Sequence, residues 1–186
     1  MPDDLEKRGR ALEQAFFNKQ NDELLAKLRA QEAAKQKKSE LAALTGIKDP
    51  EVLEELLEVG VEPGTLAALS LAPLVLMAWR YGKIETHERA AILRAAEQRG
   101  LKPGTTAYQL VEKWLEERPV AELLPAWKAY AKSLRTRLQK DAYATLRDDI
   151  VKRTREVARA TGGILGMAAV SKEEKQLLAE IEAALG

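Results

Sequence analysis

Cysteine is absent from the 186 residues, which excludes disulfides and thiol chemistry and suits a reducing cytoplasm. Histidine occurs once, at His87, so one chain cannot build a histidine triad or a multi-histidine metal site. Long apolar runs are missing as well. The most apolar stretch, "TLAALSLAPLVLMAW" (65–79), covers 15 residues and contains Pro73, whereas a membrane-spanning helix needs about 20. Behind the charged N-terminus "MPDDLEKRGR" there is no apolar signal core. Runs of β-branched residues are absent, and nothing reads as a strand. "TGGILGM" (161–167) lacks the lysine and hydroxyl residue of a phosphate-binding loop, and no Gly-x-Ser-x-Gly nucleophile motif occurs. Carboxylates are plentiful, but on charge-rich helices solvated faces and i,i+4 links account for them. No catalytic constellation is present, so the chain reads as a non-enzyme with no implied cofactor.

What is present is helix-forming material. Ala, Leu, Glu, Lys, Arg and Gln dominate, 46% of the chain is hydrophobic and 32% charged, and the formal net charge is +1. The reading is all-α, with eight or nine helices, divided into a charged helical arm over 1–46 and a compact helical domain over 47–186. The arm carries a thin apolar stripe at Leu12, Phe16, Leu24, Leu25 and Leu28, with a break expected near "FNKQND" where Asn21 or Asp22 could cap a second segment. Gly46 suits a helix end, and Asp49-Pro50 reads as an N-cap followed by proline at the first helical position. Further helices are expected over 50–60, 65–81 with a bend at Pro73, 85–100, and from "LKPGTT" to about 117. Others follow from Pro119 through "AWKAYAKSLRTRLQ", over 140–161 ended by Gly162 and Gly163, and over 171–185. The segment 65–81 is apolar nearly all round, which places it at the centre of the fold. Trp114, Trp127 and Tyr130 fall at helical spacing among leucines and read as core.

The stretch "MAWRYGKIETHERAAIL" (77–93) holds the back half of a calcium-loop pattern. Gly82 supplies a sharp turn, Ile84 an apolar anchor, and Glu88 stands six residues after the glycine. It aligns with "AAVSKEEKQLLA" (168–179), pairing Ile84 with Val170, Glu85 with Ser171 and Glu88 with Glu174. Both copies combine an apolar staple, an N-cap and a glutamate at the third helical position, the pattern of a capping box.

"LSLAPLVLMAWRYGKIETHERAAILRAA" (69–96) resembles the TerB-like family, whose pattern is an apolar helix, Trp-Ala-Asp-Gly, an aliphatic residue and a capped helix with Glu-Arg. "AAVSKEEKQLLAEI" stands where that family has a weaker second copy. The resemblance is best over 69–100, extends to 186 and leaves 1–60 uncovered. It implies an all-helical, non-catalytic protein of the bacterial tellurite-resistance and membrane-linked stress class, some members of which bind divalent cations through the acids of this loop. Here Arg80 and Tyr81 replace the family's Ala-Asp, and Met77, Trp79 and Tyr81 stand at would-be ligand positions. Only Glu85 and Glu88 remain as metal candidates, and both have a sufficient role as helix caps. In the arm, "FFNKQNDELLAKLRA" (16–30) is similar, over those residues alone, to the inhibitor subunit of some bacterial rotary ATP synthases.

Charge is uneven. Residues 126–160 carry ten bases, among them Lys128, Lys132, Arg135 and Arg153, against four acids, while 49–62 is acidic. Either the two surfaces complement each other within the fold, or the basic face engages an acidic protein partner or anionic lipid headgroups. Nucleic acid is disfavoured, because net charge is near zero and no recognised binding motif occurs. The leading reading is a cytoplasmic interaction module, peripheral at the inner membrane if lipid is the ligand. It would bind a protein partner or a membrane surface through Phe16, Phe17 and Leu24 of the arm and through Lys128, Lys132, Arg135 and Arg153. The alternatives are a divalent-cation-responsive protein and an oligomer assembled through the arm. If the loop at 77–88 is a metal-free connector, added calcium, magnesium or manganese will leave the melting temperature unchanged, and a rise of several degrees would refute that reading.

Overall fold

The structure, a computed structural model, describes residues 2–161 and 171–186, and the side chains of these except 2–15, 17, 81, 160 and 161. Among the described residues there are eight α-helices and no strand. They are α1 Pro2–Thr45, α2 Pro50–Glu58, α3 Ala72–Ala78, α4 Thr86–Gln98, α5 Thr106–Glu116, α6 Leu123–Arg137, α7 Lys140–Thr161 and α8 Lys172–Leu185. The chain divides into two units, Met1–Ser39 and Glu40–Gly186.

The first unit is α1 alone up to Ser39. No break occurs at Asn21 or Asp22, and the helix runs through both. Asparagine and aspartate in a solvent-exposed helix interior cost only a fraction of a kcal/mol, about 0.7 at most relative to alanine, less than re-nucleating a helix would. The expected cap is therefore not used.

The second unit begins with the last turns of α1. Leu41 and Thr45 are buried there, and the Thr45 hydroxyl donates to the Leu41 carbonyl at 2.6 Å while accepting from the Ile47 N–H at 3.2 Å. Asp49 caps α2 by accepting from the Glu51 N–H at 3.0 Å, with Pro50 at the start of the helix, as its dipeptide predicts. The turn after the helix is made by Gly60, where φ is +82° and an added Cβ would stand 2.9 Å from a methyl of Leu110. Both the left-handed backbone and the close approach require glycine there.

The apolar segment is central, though not as one bent helix. A 3₁₀ turn over Leu66–Leu71 leads into α3, and a second over Trp79–Tyr81 follows it. Pro73 sits in the first turn of α3, where its missing N–H leaves no bond unmade, so it starts the helix instead of kinking it. Leu69, Leu71, Leu74, Val75, Met77 and Ala78 are all buried. Around this rod α4, α5, α6, α7 and α8 each pack against α3, and α2 packs on α6.

Two indoles tie the wall to the rod. Trp79 Nε1 donates to the Trp114 carbonyl at 2.6 Å, and Trp114 Nε1 donates to the Val59 carbonyl at 3.1 Å. Trp114 and Trp127 are buried and Tyr130 is half-buried. At the far end the Tyr143 hydroxyl donates to the Leu185 carbonyl at 3.0 Å, joining α7 to α8. The glycine pair expected to end α7, Gly162 and Gly163, lies outside the described residues, as does Val170. No helix among the described residues is long and apolar enough to cross a membrane. Truncating the rod should be costly: Leu74→Ala is expected to lower unfolding free energy by about 3 kcal/mol in urea titrations, whereas Leu138→Ala on the surface should change it by less than about 0.5 kcal/mol.

Candidate functional site

Three features answer to the sequence-derived candidates, beginning with the turn at "WRYG". After the 3₁₀ turn, Gly82 takes φ +79° and its N–H donates to the Trp79 carbonyl at 3.0 Å, which reverses the chain into α4. The two carboxylates beyond it face different surroundings. Glu85, at the N-cap of α4, is exposed and pairs with Lys83 at 2.8 Å. The hydrogen bond and charge of that lysine hold Glu85 below the usual carboxylate range. Glu88 is only 3% exposed, and its Oε2 accepts from the Glu85 N–H at 2.7 Å. Its lone pair is thereby committed to a helix terminus.

The second copy repeats this arrangement. Ser171 caps α8 by accepting from the Glu174 N–H at 3.2 Å, and the fully buried Glu174 accepts in return from the Ser171 N–H at 2.7 Å. Burial pushes the Glu88 carboxyl up, the Glu85 N–H opposes this, and the charge of Glu174 adds to the rise. Among the described residues no group of three or more His, Cys, Asp or Glu side chains could hold a metal.

Part of the basic segment is matched inside the fold. Lys128 pairs with Glu180 at 2.7 Å and Arg155 with Glu182 at 2.6 Å, so α8 supplies acids to α6 and α7. Arg153 bonds Asp149 at 2.7 Å and Gln98 at 2.7 Å, and Arg99 reaches both the same Asp149 at 2.6 Å and the Ser70 carbonyl at 2.5 Å. Burial pushes the Asp149 carboxyl up, but hydrogen bonds from Arg153 and Arg99 outweigh it and hold the group below its ordinary value. Arg99 had no place in the sequence reading. Its partners lie 29 and 50 residues away, beyond any local pattern. Lys132 and Arg135 are exposed, and the Arg135 guanidinium lies against Gly186. An open groove of about 570 Å³ runs between α7 and α8, flanked by Arg147, Lys152, Arg159 and Glu156.

The arm differs from both. Phe16 is 57% exposed, Leu24 55%, Leu25 43% and Leu28 51%, and Phe17 lies among the residues whose side chains are not described. These four belong to one helix, and Leu24 and Leu28 share a face at i,i+4 spacing.

Because the folded state holds the Glu88 proton more tightly than the unfolded chain does, that group favours folding most when protonated and loses the contribution as pH rises through its folded value. Relative to Glu88→Gln, the wild-type chain should therefore gain stability when pH falls from about 7 to about 5, as read from paired urea titrations. A difference between the two proteins that does not change with pH would refute this coupling. Comparison of the chain with models of known families, with curated proteins and with solved structures finds no match.

Proposed function

We propose that the chain is a non-enzymatic helical interaction module that binds a protein partner through the apolar stripe of α1. The supporting observation is the exposure of Phe16, Leu24, Leu25 and Leu28 together on one helix, while large apolar side chains of the second unit are mostly buried. A helix with apolar anchors at i and i+4 is the form in which amphipathic helices enter a partner's groove. Exposed apolar surface gathered in one place marks an interaction site more often than scattered single residues do.

The basic face is the weaker recognition element. Lys128, Arg153 and Arg155 already have carboxylate partners, and recruiting them to an acidic partner or anionic lipid would first break those pairs. The compact unit serves as scaffold in this reading. Its "WRYG" turn and paired capping boxes are the features on which a TerB-like assignment rests.

The test uses the full chain and a Leu24→Glu/Leu28→Glu variant as baits in native cell extract, with cross-linking. Both positions are exposed, so the melting temperature should be unchanged, while capture of the partner falls by at least about tenfold. A partner retained by the variant would refute the arm as recognition element and move recognition to the face of Lys132 and Arg135.

A further inference from the structure

We propose that a cavity between α6 and α7 is a binding site for a small, uncharged, cyclic carbonyl compound, held by a hydrogen bond from the Trp127 indole. The site is independent of the arm and gives the compact unit a ligand of its own.

The cavity follows from the way the two helices face each other. Trp127, Tyr130, Ala131 and Leu134 recur at three- and four-residue spacing on α6 and so share one side of it, as Leu146 and Ile150 do on α7. Within that side Ala131 offers only a methyl group among larger neighbours, which leaves space that a longer side chain would fill. Leu185 of α8 and Ser70 of the first 3₁₀ turn complete the lining of a cavity of about 110 Å³. A cavity of about 150 Å³ admits benzene, so this one suits a single ring of about five or six atoms.

The walls select against ions. None of the lining residues is charged, and burial pushes the Tyr130 hydroxyl up, away from its ionised form. An entering ion would lose its hydration without gaining a counter-charge.

Trp127 supplies the polar handle. The other two indoles are committed, Trp79 to the Trp114 carbonyl and Trp114 to the Val59 carbonyl. Trp127 is only 1% exposed, yet its N–H has no acceptor among the described residues. Every sealed side-chain nitrogen or oxygen among those residues does have a partner, so this donor is not sealed. The sliver of Trp127 that stays accessible therefore includes its nitrogen, and the space that Trp127 lines is this cavity. An indole can only donate, so the ligand must bring the acceptor. A carbonyl brings an acceptor alone, whereas a ligand hydroxyl would add a donor of its own to a largely apolar wall.

Cyclopentanone meets these terms, and methylenecyclopentane has its shape without the acceptor. In proton–nitrogen correlation spectra of the full chain, cyclopentanone should shift the Trp127 indole resonance saturably and leave those of Trp79 and Trp114 in place. Trp127→Phe identifies that signal by its loss. Followed on the methyl resonances of Leu146 and Ile150, methylenecyclopentane should bind about fivefold more weakly, the equivalent of one hydrogen bond. Trp127→Phe should erase this preference, and Ala131→Leu, which fills the space, should abolish binding of both compounds. A Trp127 resonance unmoved up to the solubility limit of cyclopentanone would overturn the site. Equal affinity of the wild-type chain for the two compounds would overturn the indole as the recognition group. Undiminished binding by a folded Ala131→Leu chain would overturn the cavity as the place of binding, and if that variant does not fold, the resonance shift and the Trp127→Phe comparison decide.

Discussion

A rod of residues that is apolar on nearly every side has to be covered on most of them, and that requirement organises the second unit. Within segment 66–78 the only polar side chain is Ser70, and Leu69, Leu71, Leu74, Val75, Met77 and Ala78 are all buried. An ordinary amphipathic helix needs one neighbour, but this one needs a ring, and α4 to α8 provide it. The short lengths of the pieces follow from the same constraint. Alternating 3₁₀ and α geometry turns the twelve apolar side chains of residues 66–78 in several directions over a short length of chain.

Charge then decides how the ring closes. Helices α6 and α7 carry an excess of bases, and α8 brings Glu180 and Glu182 to two of them. Asp149 is shared by Arg99, the C-cap of α4, and Arg153 of its own helix, so one partly exposed carboxylate joins the end of α4 to α7 and also reaches the carbonyl of Ser70 through Arg99. Exposed pairs of this kind each contribute little, about 0–1 kcal/mol, but a shared network orients helices that apolar packing alone would leave free to slide. The contrast with the arm is one of saturation. Most large apolar side chains of the second unit are buried, whereas Phe16, Leu24, Leu25 and Leu28 of the arm are each more than two-fifths exposed.

Features built from near neighbours were legible in the sequence. Asp49-Pro50 starts α2 and Ser171 with Glu174 starts α8, because a capping box is complete within four residues. The all-α class and the central place of 65–81 followed from composition and from apolar character without a period. The acids that neutralise α6 and α7 were not legible, since Lys128 and Glu180 are 52 residues apart and each looks like an ordinary surface charge alone. The 3₁₀ pieces around α3 escaped for another reason: an all-apolar run has no periodicity from which to tell 3.0 from 3.6 residues per turn. At the candidate site, the cap roles of Glu85 and Glu88 could be read from spacing. The burial of Glu88 and Glu174 could not, because it depends on what packs over each cap.

The indole hydrogen bonds have an optical consequence. All three tryptophans and all four tyrosines lie beyond residue 78, and Trp79 and Trp114 are joined through Trp114's own carbonyl. Near-ultraviolet absorption and emission therefore report on the second unit alone, while Met1–Ser39 contributes only the faint absorbance of Phe16 and Phe17. The chain comes with a built-in division of signals. Aromatic spectra follow the body, far-ultraviolet dichroism follows arm and body together, and the difference between the two isolates the helix that carries Phe16, Leu24, Leu25 and Leu28.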